Sequence, residues 1–372
     1  MARLGGRIAR PDGCLLRGFV SFEQRIVAIE PSERAGDDYI LPGLIDLQVN
    51  GSHGVDIMTA SADGLLRISK NLAAEGTTGW LATAITSPLD SIERVNRIVD
   101  EAVAEQSEDA GPQSGASILG MHLEGPFISP HRLGAHPKLT LEPAGEALER
   151  VLALNRLRLL TLAPELPSAL DAIRRLCARG VAVSIGHTDA TLEQAEAGVA
   201  AGARMFTHLF NAMRPMRHRD PGVAAAALLA SAATPAVIPD AVHVHPAMLR
   251  LVYRLRGAAG MILTTDKIGL AGARGASTSL GGARIKVDGG VARLDDGTLA
   301  GSVISMLGGV RVMVETAGVT AGEAARMAAG NPAAILSLGD RGKIERGARA
   351  DLIVLGPALD LKAVFITGRE MR

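Results

Sequence analysis

The sequence predicts an α/β fold, a TIM-like (β/α)8 barrel with a small β-sandwich domain built from both ends of the chain. Eight strand-like runs in the centre are mostly followed by helical patterns, and a (β/α)8 barrel has this number of units. Both ends carry short β-rich runs separated by turn signals. A length of 372 residues accommodates a barrel and one accessory domain.

The two ends of the chain resemble each other more than they resemble the centre. Pro11–Gly13 is a turn signal before the β-rich runs 19–22 and 25–29, and the runs 351–355 and 363–367 are similar. Neither end has enough strand to bury a sheet face alone, so we expect the two ends to pair. The predicted division is 1–41 and 337–372 for the small domain, and 42–336 for the barrel.

The central strands are short apolar runs. The candidates are Leu44–Val49, Thr78–Ala84, Ile118–Leu123, Leu159–Ala163, Val181–Ile185, Met205–His208, Ala236–Pro239 and Met261–Thr264. A doubly wound open sheet is the main alternative. The chain lacks the Gly-x-Gly-x-x-Gly turn after the first strand that is typical of dinucleotide-binding sheets, which favours the barrel.

Composition excludes several classes of function. Lys and Arg together number 39, as do Asp and Glu, so no global positive field would attract nucleic acid or an anionic membrane. The only cysteines, Cys14 and Cys177, have neither metal-binding nor redox spacing. The N-terminus lacks the apolar core of a signal peptide, and the uncharged run 221–239 is mostly alanine. We therefore expect a cytoplasmic protein without a membrane segment.

Polar residues concentrate at the ends of the predicted strands. In a barrel, catalytic groups gather at the C-terminal ends of the strands. Glu124, His187 and His208 together are two histidines and one carboxylate, a set that suits Zn²⁺ with an open position for water. Ligand type leaves Fe²⁺ or another divalent ion open. The strand-end residues are Gln48, Asn50, His122, Glu124, His187, His208, Asn211, Asp240, His243 and Asp266.

Five motifs make the sequence recognisable. They are His122-Leu-Glu-Gly-Pro-Phe, Gly186-His-Thr-Asp-Ala-Thr, Thr207-His-Leu-Phe-Asn-Ala-Met, Leu299-Ala-Gly-Ser and Pro42-Gly-Leu-Ile-Asp-Leu-Gln-Val-Asn-Gly. Together they closely resemble the N-acetylglucosamine-6-phosphate deacetylases of the amidohydrolase superfamily, from about Leu41 to the C-terminus. The resemblance implies a metal-dependent barrel of the amidohydrolase type and a homodimer.

The resemblance also implies a role for each matching residue. Asp266 matches the catalytic carboxylate, and His136 matches the histidine that contacts the substrate's carbonyl. Arg219 matches a residue that can serve a neighbouring subunit. The implied metal ligands are Glu124, His187 and His208, and the implied contacts to the sugar phosphate are Asn211, Ala212, Arg219 and His243, with Leu299 as a further substrate contact.

Strand one predicts a single metal ion. Many members of the superfamily carry His-x-His there and bind two ions, whereas this chain has Gln48 and Asn50. Neutral amides are poor Zn²⁺ ligands, so we expect these two residues, with His122, to support the site by hydrogen bonds. The chain departs from the family at Lys267, after the catalytic Asp, and at Pro239–Ala241. We expect Lys267 to point away from the site.

The activity that the resemblance implies is metal-dependent hydrolysis of N-acetyl-D-glucosamine 6-phosphate to D-glucosamine 6-phosphate and acetate, in amino-sugar catabolism. One alternative is the same chemistry on another substrate such as N-acetylgalactosamine 6-phosphate. This sugar differs from the first at a single hydroxyl group, and no motif in the sequence distinguishes the two. Another is a non-catalytic barrel that binds a sugar phosphate. The presence of Asp266 beside the ligand set argues against that barrel, since a binding module needs no general base.

Overall fold

The computed structural model of the chain describes residues 1–106, 114–273, 277–280 and 283–371. Most strands fall into one eight-stranded and one seven-stranded sheet. The strands are β1 Ala2–Ala9, β2 Leu15–Phe22, β3 Ile26–Pro31, β4 Tyr39–Pro42, β5 Leu44–Val49, β6 Gly51–Ser52, β7 Val55–Asp56, β8 Thr77–Ile85, β9 Ser117–Glu124, β10 Leu157–Leu162, β11 Ala182–Ile185, β12 Met205–Phe206, β13 Thr234–Val237, β14 Ile262–Leu263, β15 Ser277–Leu280, β16 Ala283–Asp288, β17 Val291–Leu294, β18 Leu352–Leu355, β19 Leu361–Ile366 and β20 Arg369–Glu370.

The helices follow most of the central strands. They are α1 Ala62–Ala74, α2 Leu89–Glu105, α3 Gly145–Leu152, α4 Ala169–Ala178, α5 Leu192–Ala201, α6 Gly222–Leu229, α7 Pro246–Arg256, α8 Met306–Val312, α9 Ala321–Ala325 and α10 Asn331–Ile335. A 3₁₀ turn covers Ala258–Gly260, and π-helical segments cover Met313–Ala317 and Arg326–Gly330. No helix of the described residues is long and apolar enough to cross a membrane.

The eight-stranded sheet is the predicted barrel. Its order is β14-β13-β12-β11-β10-β9-β8-β5, and every neighbouring pair is parallel. A parallel bridge between Val49 and Lys267 joins the two ends of this order, with the N–H of Asn50 donating to the Lys267 carbonyl at 2.7 Å. Each of the eight predicted runs overlaps one of these strands, so the prediction of a barrel is confirmed.

The barrel is held by apolar runs buried on both faces, as is usual for parallel strands. Every residue of β5 and of β8 is buried. Outside them, α1 begins at Ser61, whose side chain accepts a hydrogen bond from the Gly64 N–H at 3.2 Å. The buried face of α1 has the spacing of an amphipathic helix and includes Leu65, Ile68 and Leu72.

The two ends of the chain form the seven-stranded sheet, in the order β20-β19-β18-β4-β1-β2-β3. All its pairs are antiparallel except β1 with β4. Phe22 on β2 meets Phe365 on β19 edge-to-face at 5.3 Å, although three strands separate β2 from β19 in the order. The sheet therefore folds over an apolar core of its own, and the predicted pairing of the ends is confirmed. The division at 41/42 and 336/337 stays a prediction.

A small antiparallel sheet lies between the last barrel strand and α8. It has the order β15-β16-β17, and the sequence analysis did not predict it. Ile285 and Ala292 of this sheet pack with Ile85 and Ile268, next to the C-terminal ends of the barrel strands. The sheet therefore borders the end of the barrel where the polar residues gather.

Candidate functional site

A cavity of about 310 Å³ opens at the C-terminal ends of the barrel strands. Most of the residues singled out from the sequence line it, and they come from segments far apart in the chain. The lining residues include Asn50, Glu124, His136, His187, His208, Asn211, Ala212, His243, Asp266 and Leu299. The prediction that strand ends bring these residues together therefore agrees with the structure.

Glu124, at the end of β9, lies at the centre of the polar cluster. Its Oε1 is 3.1 Å from Nε2 of His187 and 2.9 Å from Nε2 of His208, and the two Nε2 atoms are 3.1 Å apart. Nε2 of His136 lies 3.3 Å from Oε2 of Glu124. Burial alone would raise the pKa of the Glu124 carboxyl, but the charge and hydrogen bonds of the surrounding histidines hold that pKa well below its usual range.

The hydrogen bonds of His187 test whether this cluster fits a cation. Nδ1 of His187 lies 2.9 Å from the carbonyl oxygen of Arg132, which can only accept, so Nδ1 carries the hydrogen. In the neutral ring, Nε2 then turns its lone pair toward the carboxylate of Glu124. Two electron-rich atoms facing each other at this distance fit a positive ion bound to both.

The spacing of the three atoms points the same way. In a tetrahedral Zn²⁺ site with bonds of about 2.0 Å, ligand atoms lie about 3.3 Å apart. The triangle of Glu124, His187 and His208 has edges of 2.9–3.1 Å. Nδ1 of His208 is buried without a hydrogen-bond partner among the described residues. These three residues could hold one divalent ion and leave a coordination position free.

His136 belongs to the same cluster but is bonded differently. Its Nδ1 is 2.8 Å from Oγ1 of Thr86 and receives the Thr86 backbone N–H at 3.4 Å. A nitrogen that accepts an N–H carries no hydrogen itself, so in the neutral ring Nε2 bears it. The ligand atoms of Glu124, His136 and His187 lie within 4.8 Å of one another. Proximity thus permits His136 as a metal ligand, whereas its hydrogen bonds favour it as a donor to Glu124 or to substrate.

The backbone turns sharply where the site residues end their strands. His187, His208 and Asp266 have φ angles of 48°, 28° and 51°, in the left-handed region that non-glycine residues rarely adopt. Glu165 stabilises the turn after His187, because its carboxylate accepts hydrogen bonds from the Thr188 hydroxyl at 2.5 Å and the Asp189 N–H at 2.7 Å. These turns aim the side chains across the mouth of the barrel.

Asp266 faces Glu124 across the cavity; the amide of Gln48 connects the two carboxylates, and the amide of Asn50 binds Asp266 alone. Nε2 of Gln48 donates to Oε1 of Glu124 at 2.9 Å and to Oδ1 of Asp266 at 3.0 Å, while Nδ2 of Asn50 donates to the same Oδ1 at 2.7 Å. Oδ2 is left outside these bonds. Burial and the charge of Glu124 raise the pKa of the Asp266 carboxyl.

His122 lies deeper in the barrel. Its Nε2 is 2.8 Å from Oγ1 of Thr161, and burial lowers its pKa to about 4. The Thr161 hydroxyl continues to Thr207 at 2.7 Å, one residue before His208. His122 is thus connected to His208 through the hydroxyl groups of Thr161 and Thr207. The expected role of His122 in supporting the site stays a prediction.

The far end of the cavity carries the residues expected to hold a sugar phosphate. Asp240 accepts hydrogen bonds from Nδ1 of His243 at 2.7 Å and from the His243 N–H at 2.8 Å. Burial opposes ionisation of Asp240, but these bonds lower its pKa. Asn211, Ala212 and Leu299 also line the cavity.

The positions of two arginines, Arg219 and Arg293, differ from what the matching motifs suggest. Arg219 is exposed and is not among the residues that line the cavity. Arg293 on β17 does line it, and its guanidinium donates to the carbonyl of Gly297 at 2.8 Å. Arg293 was not among the residues predicted from the sequence; its position six residues before Leu299, where a recognised motif begins, was an available signal.

Lys267 points away from the cavity, as expected from the alternation of side chains along a strand. It is buried, and its ammonium pairs with the carboxylate of Glu75 at the end of α1. Nε2 of His53 lies 3.9 Å from the same carboxylate. The pair joins the segment that carries Asp266 to a helix on the outside of the barrel.

Comparison with known proteins places the chain among hydrolases. The sequence model described as "Amidohydrolase family" matches residues 39–371. A protein of Lysinibacillus sphaericus named N-acetylglucosamine-6-phosphate deacetylase is 38% identical, over 89% of this chain and 85% of its own length. A protein of Escherichia coli O157:H7 named N-acetylgalactosamine-6-phosphate deacetylase is 37% identical, over 92% of each chain.

Solved structures agree with these relatives. A mutant of the Mycobacterium smegmatis N-acetyl-D-glucosamine-6-phosphate deacetylase, in complex with N-acetyl-D-glucosamine 6-phosphate, superposes with a TM-score of 0.90 at 33% identity. The alignment covers 99% of this chain and 98% of that one. The resemblance therefore extends over both sheets and the whole cavity.

Proposed function

The chain belongs to the amidohydrolase family, and from that premise we propose that it hydrolyses N-acetyl-D-glucosamine 6-phosphate to D-glucosamine 6-phosphate and acetate. The observation that carries the proposal is the pairing of Glu124, His187 and His208 with Asp266 across one cavity. The three ligand residues fit a divalent ion, and Asp266 is a half-buried carboxyl with a raised pKa. An amide hydrolase of this type needs both.

Glu124, His187 and His208 hold the ion, which we propose to be a single Zn²⁺. When bound, it supplies acidification of water and polarisation of the acetyl carbonyl. Asp266 moves the proton. Its Oδ1 is occupied by the amides of Gln48 and Asn50, so Oδ2 takes the proton of the attacking water and later returns it to the departing sugar nitrogen. The raised pKa of Asp266 suits a group that must hold a proton between these two steps.

His136 stabilises the charge that develops on the acetyl oxygen. Its hydrogen bonds with Thr86 leave the hydrogen on Nε2, which faces the same carboxylate as the proposed ion. A preorganised N–H donor at this place lowers the barrier to the tetrahedral intermediate. Burial, with the nearby His187, lowers the pKa of His136 to about 4, so the ring is neutral at pH 7 and keeps this single hydrogen.

His243 binds the phosphate with its side chain held by Asp240. The Asp240 carboxylate occupies Nδ1, so Nε2 is the ring nitrogen that can face the phosphate. Asn211, Ala212 and Leu299 complete the sugar end of the cavity. We propose that Arg219 joins them from the neighbouring subunit of a homodimer, since within its own chain it is exposed and outside the cavity.

One other substrate has a specific observation in its favour. The Escherichia coli O157:H7 relative with 37% identity is named for N-acetylgalactosamine 6-phosphate, an epimer of the proposed substrate. The ligand set and Asp266 act only on the acetyl group and serve either sugar. A non-catalytic sugar-phosphate sensor is disfavoured, because it would need neither Asp266 nor the ion. We further propose that the protein works in the cytoplasm, in amino-sugar catabolism.

Acetate release from a panel of acetylated sugar phosphates tests the proposal. We expect release from N-acetylglucosamine 6-phosphate with a kcat/KM at least ten-fold above that for N-acetylgalactosamine 6-phosphate. The reverse ratio would assign the epimer instead. The matched control is Asp266→Asn, which should lower release from both by about 10² or more, and near-parental release in this variant would contradict the assigned chemistry.

A further inference from the structure

A second cavity, of about 300 Å³, lies at the other end of the barrel. Pro42, just before β5, lines it together with residues at the end of β1 and in the helical run that follows α9. It is thus about as large as the cavity that holds Glu124 and Asp266, but opens at the N-terminal ends of the strands, beneath the small β domain.

The charges on the wall of this cavity are of one sign. Arg10, Arg326, Arg341 and Lys343 line it, and no Asp or Glu of the described residues does. Arg341 pairs at 2.9 Å with Asp351, but that carboxylate is shared with Arg349 at 3.0 Å. The single carboxylate of Asp351 thus faces two guanidinium groups, while Lys343 pairs with Glu345 at 2.9 Å.

Arg326 is the least compensated of these cations. It is half-buried, and its guanidinium donates to the backbone carbonyl of Asp12 at 3.2 Å. Among the described residues no carboxylate lies within 4.0 Å of its nitrogens, and Arg10 reaches the carboxylate of Asp12 only at 3.9 Å. Removing half of the Arg326 side chain from water without a counter-charge costs free energy, which a bound anion would offset.

The backbone around Arg326 is unusual. Arg326 begins the π-helical segment Arg326–Gly330. The π-helix is rare in proteins, and where it occurs it is often at a functional site. Gly342 closes the wall, and a Cβ there would lie 2.4 Å from the carbonyl oxygen of Ala329. The wall is therefore shaped by a widened helical turn against a position that admits only glycine.

We propose that this cavity, lined by Arg10, Arg326, Arg341 and Lys343, binds the dianion of a small phosphate monoester at a site separate from catalysis. Guanidinium groups match phosphate oxygens through paired donors, and two of them converge here on Asp12. The volume accommodates a molecule of sugar-phosphate size, since the catalytic cavity is about as large. A phosphorylated sugar and a nucleoside monophosphate share this chemistry.

Calorimetric titration of the metal-loaded protein with glucose 6-phosphate and with adenosine 5′-monophosphate tests the proposal. We expect one of the two esters to bind, and Arg326→Ala to weaken its affinity at least ten-fold with kcat/KM for deacetylation unchanged. Whichever ester binds more tightly identifies the source of the phosphate. The matched control is Arg254→Ala, on the exposed side of α7, which should leave the affinity as it is.

Hydrogen exchange of the unaltered protein gives a second measurement that does not depend on folding of a variant. We expect the bound ester to protect amides between residues 321 and 343. Protection confined to segments around His243 would assign the binding to the catalytic cavity and overturn the proposal. Absence of binding by both esters, or equal losses in Arg326→Ala and Arg254→Ala, would overturn it as well.

Discussion

Nε2 of His187 lies 3.1 Å from Nε2 of His208, and Oε1 of Glu124 completes a nearly equilateral triangle with them. Two imidazole nitrogens this close to each other and to a carboxylate are held together best by a shared cation. The neighbouring amides of Gln48 and Asn50 are directed to carboxylates and offer no imidazole for a second ion.

Metal-free protein titrated with Zn²⁺ should recover full activity at one equivalent per chain. The reason is that Glu124, His187 and His208 form one ligand set, while Gln48 and Asn50 replace the histidines that a second ion would use. Activity against bound zinc, measured by atomic absorption, gives the stoichiometry. Activity that continues to rise toward two equivalents would show a second site and contradict the single-ion interpretation.

Asp266→Asn should lower kcat by about 10² or more without loss of metal, because the amide cannot accept the proton of the attacking water. Steady-state kinetics and metal analysis of the same preparation check this. Asp171→Asn, an exposed carboxyl on α4, is the control for a charge change outside the site. A metal-replete Asp266→Asn enzyme with near-normal kcat would remove Asp266 from the mechanism.

Arg219→Ala should raise KM for the phosphorylated substrate far more than for free N-acetylglucosamine, because the lost guanidinium bound the phosphate. Arg293→Ala is the matched comparison, since Arg293 lines the cavity of its own chain while Arg219 does not. If Arg293→Ala alone changes the ratio of the two KM values, phosphate recognition belongs to β17. Mixing Arg219→Ala with an inactive Asp266→Asn chain would restore activity only if Arg219 acts across a dimer.

Asp56→Asn should stabilise the protein at pH 7 by up to about 3 kcal/mol and leave its stability near pH 4 unchanged. Burial raises the pKa of the Asp56 carboxyl from 3.8 to about 6. Between these values the folded protein binds more protons than the unfolded chain, so the stability of the parent falls as pH rises through that window. Asparagine keeps the oxygen that accepts the Met58 N–H at 2.7 Å.

Denaturant unfolding of the parent and of Asp56→Asn at pH 4 and pH 7 measures this difference. Substitution of the exposed Asp171 by Asn serves again as the control, with no pH-dependent gain expected. A variant that gains as much at pH 4 as at pH 7 would show that the effect is not linked to ionisation of Asp56.

Much of the barrel could be predicted because its strands are apolar runs that repeat with helices between them. Once the strands were placed, residues such as Glu124 and His187 had to meet, since the C-terminal ends of parallel strands share one rim. The residues at which the strands were predicted to begin and end were less accurate. The run Met205–His208 is a strand only over Met205–Phe206, because the chain leaves β geometry before it reaches His208, whose φ is 28°.

Other features of the fold and the site could not be predicted from local sequence patterns, because they depend on contacts between residues that are distant in the chain. Lys267 meets Glu75, and Glu165 meets Thr188, through the closure of the barrel rather than through spacing along one element. In the sheet β15–β17, the strand β15 is mostly Ser and Thr, and β16 and β17 carry charged residues such as Arg293, so no continuous apolar run marked them. Tertiary context decides such segments more than propensity does.

The pairing of β4 with β18 has a consequence for synthesis of the protein. Ile40 and Val354 are partners across that pair, separated by about 300 residues of chain. At translation rates of about 5–20 residues per second, the N-terminal strands leave the ribosome roughly 15 to 60 s before β18 is made. During that interval β4 presents an open apolar edge of the kind that pairs with other chains. We therefore expect the nascent chain to be most prone to association with other chains in the interval before its final strands emerge.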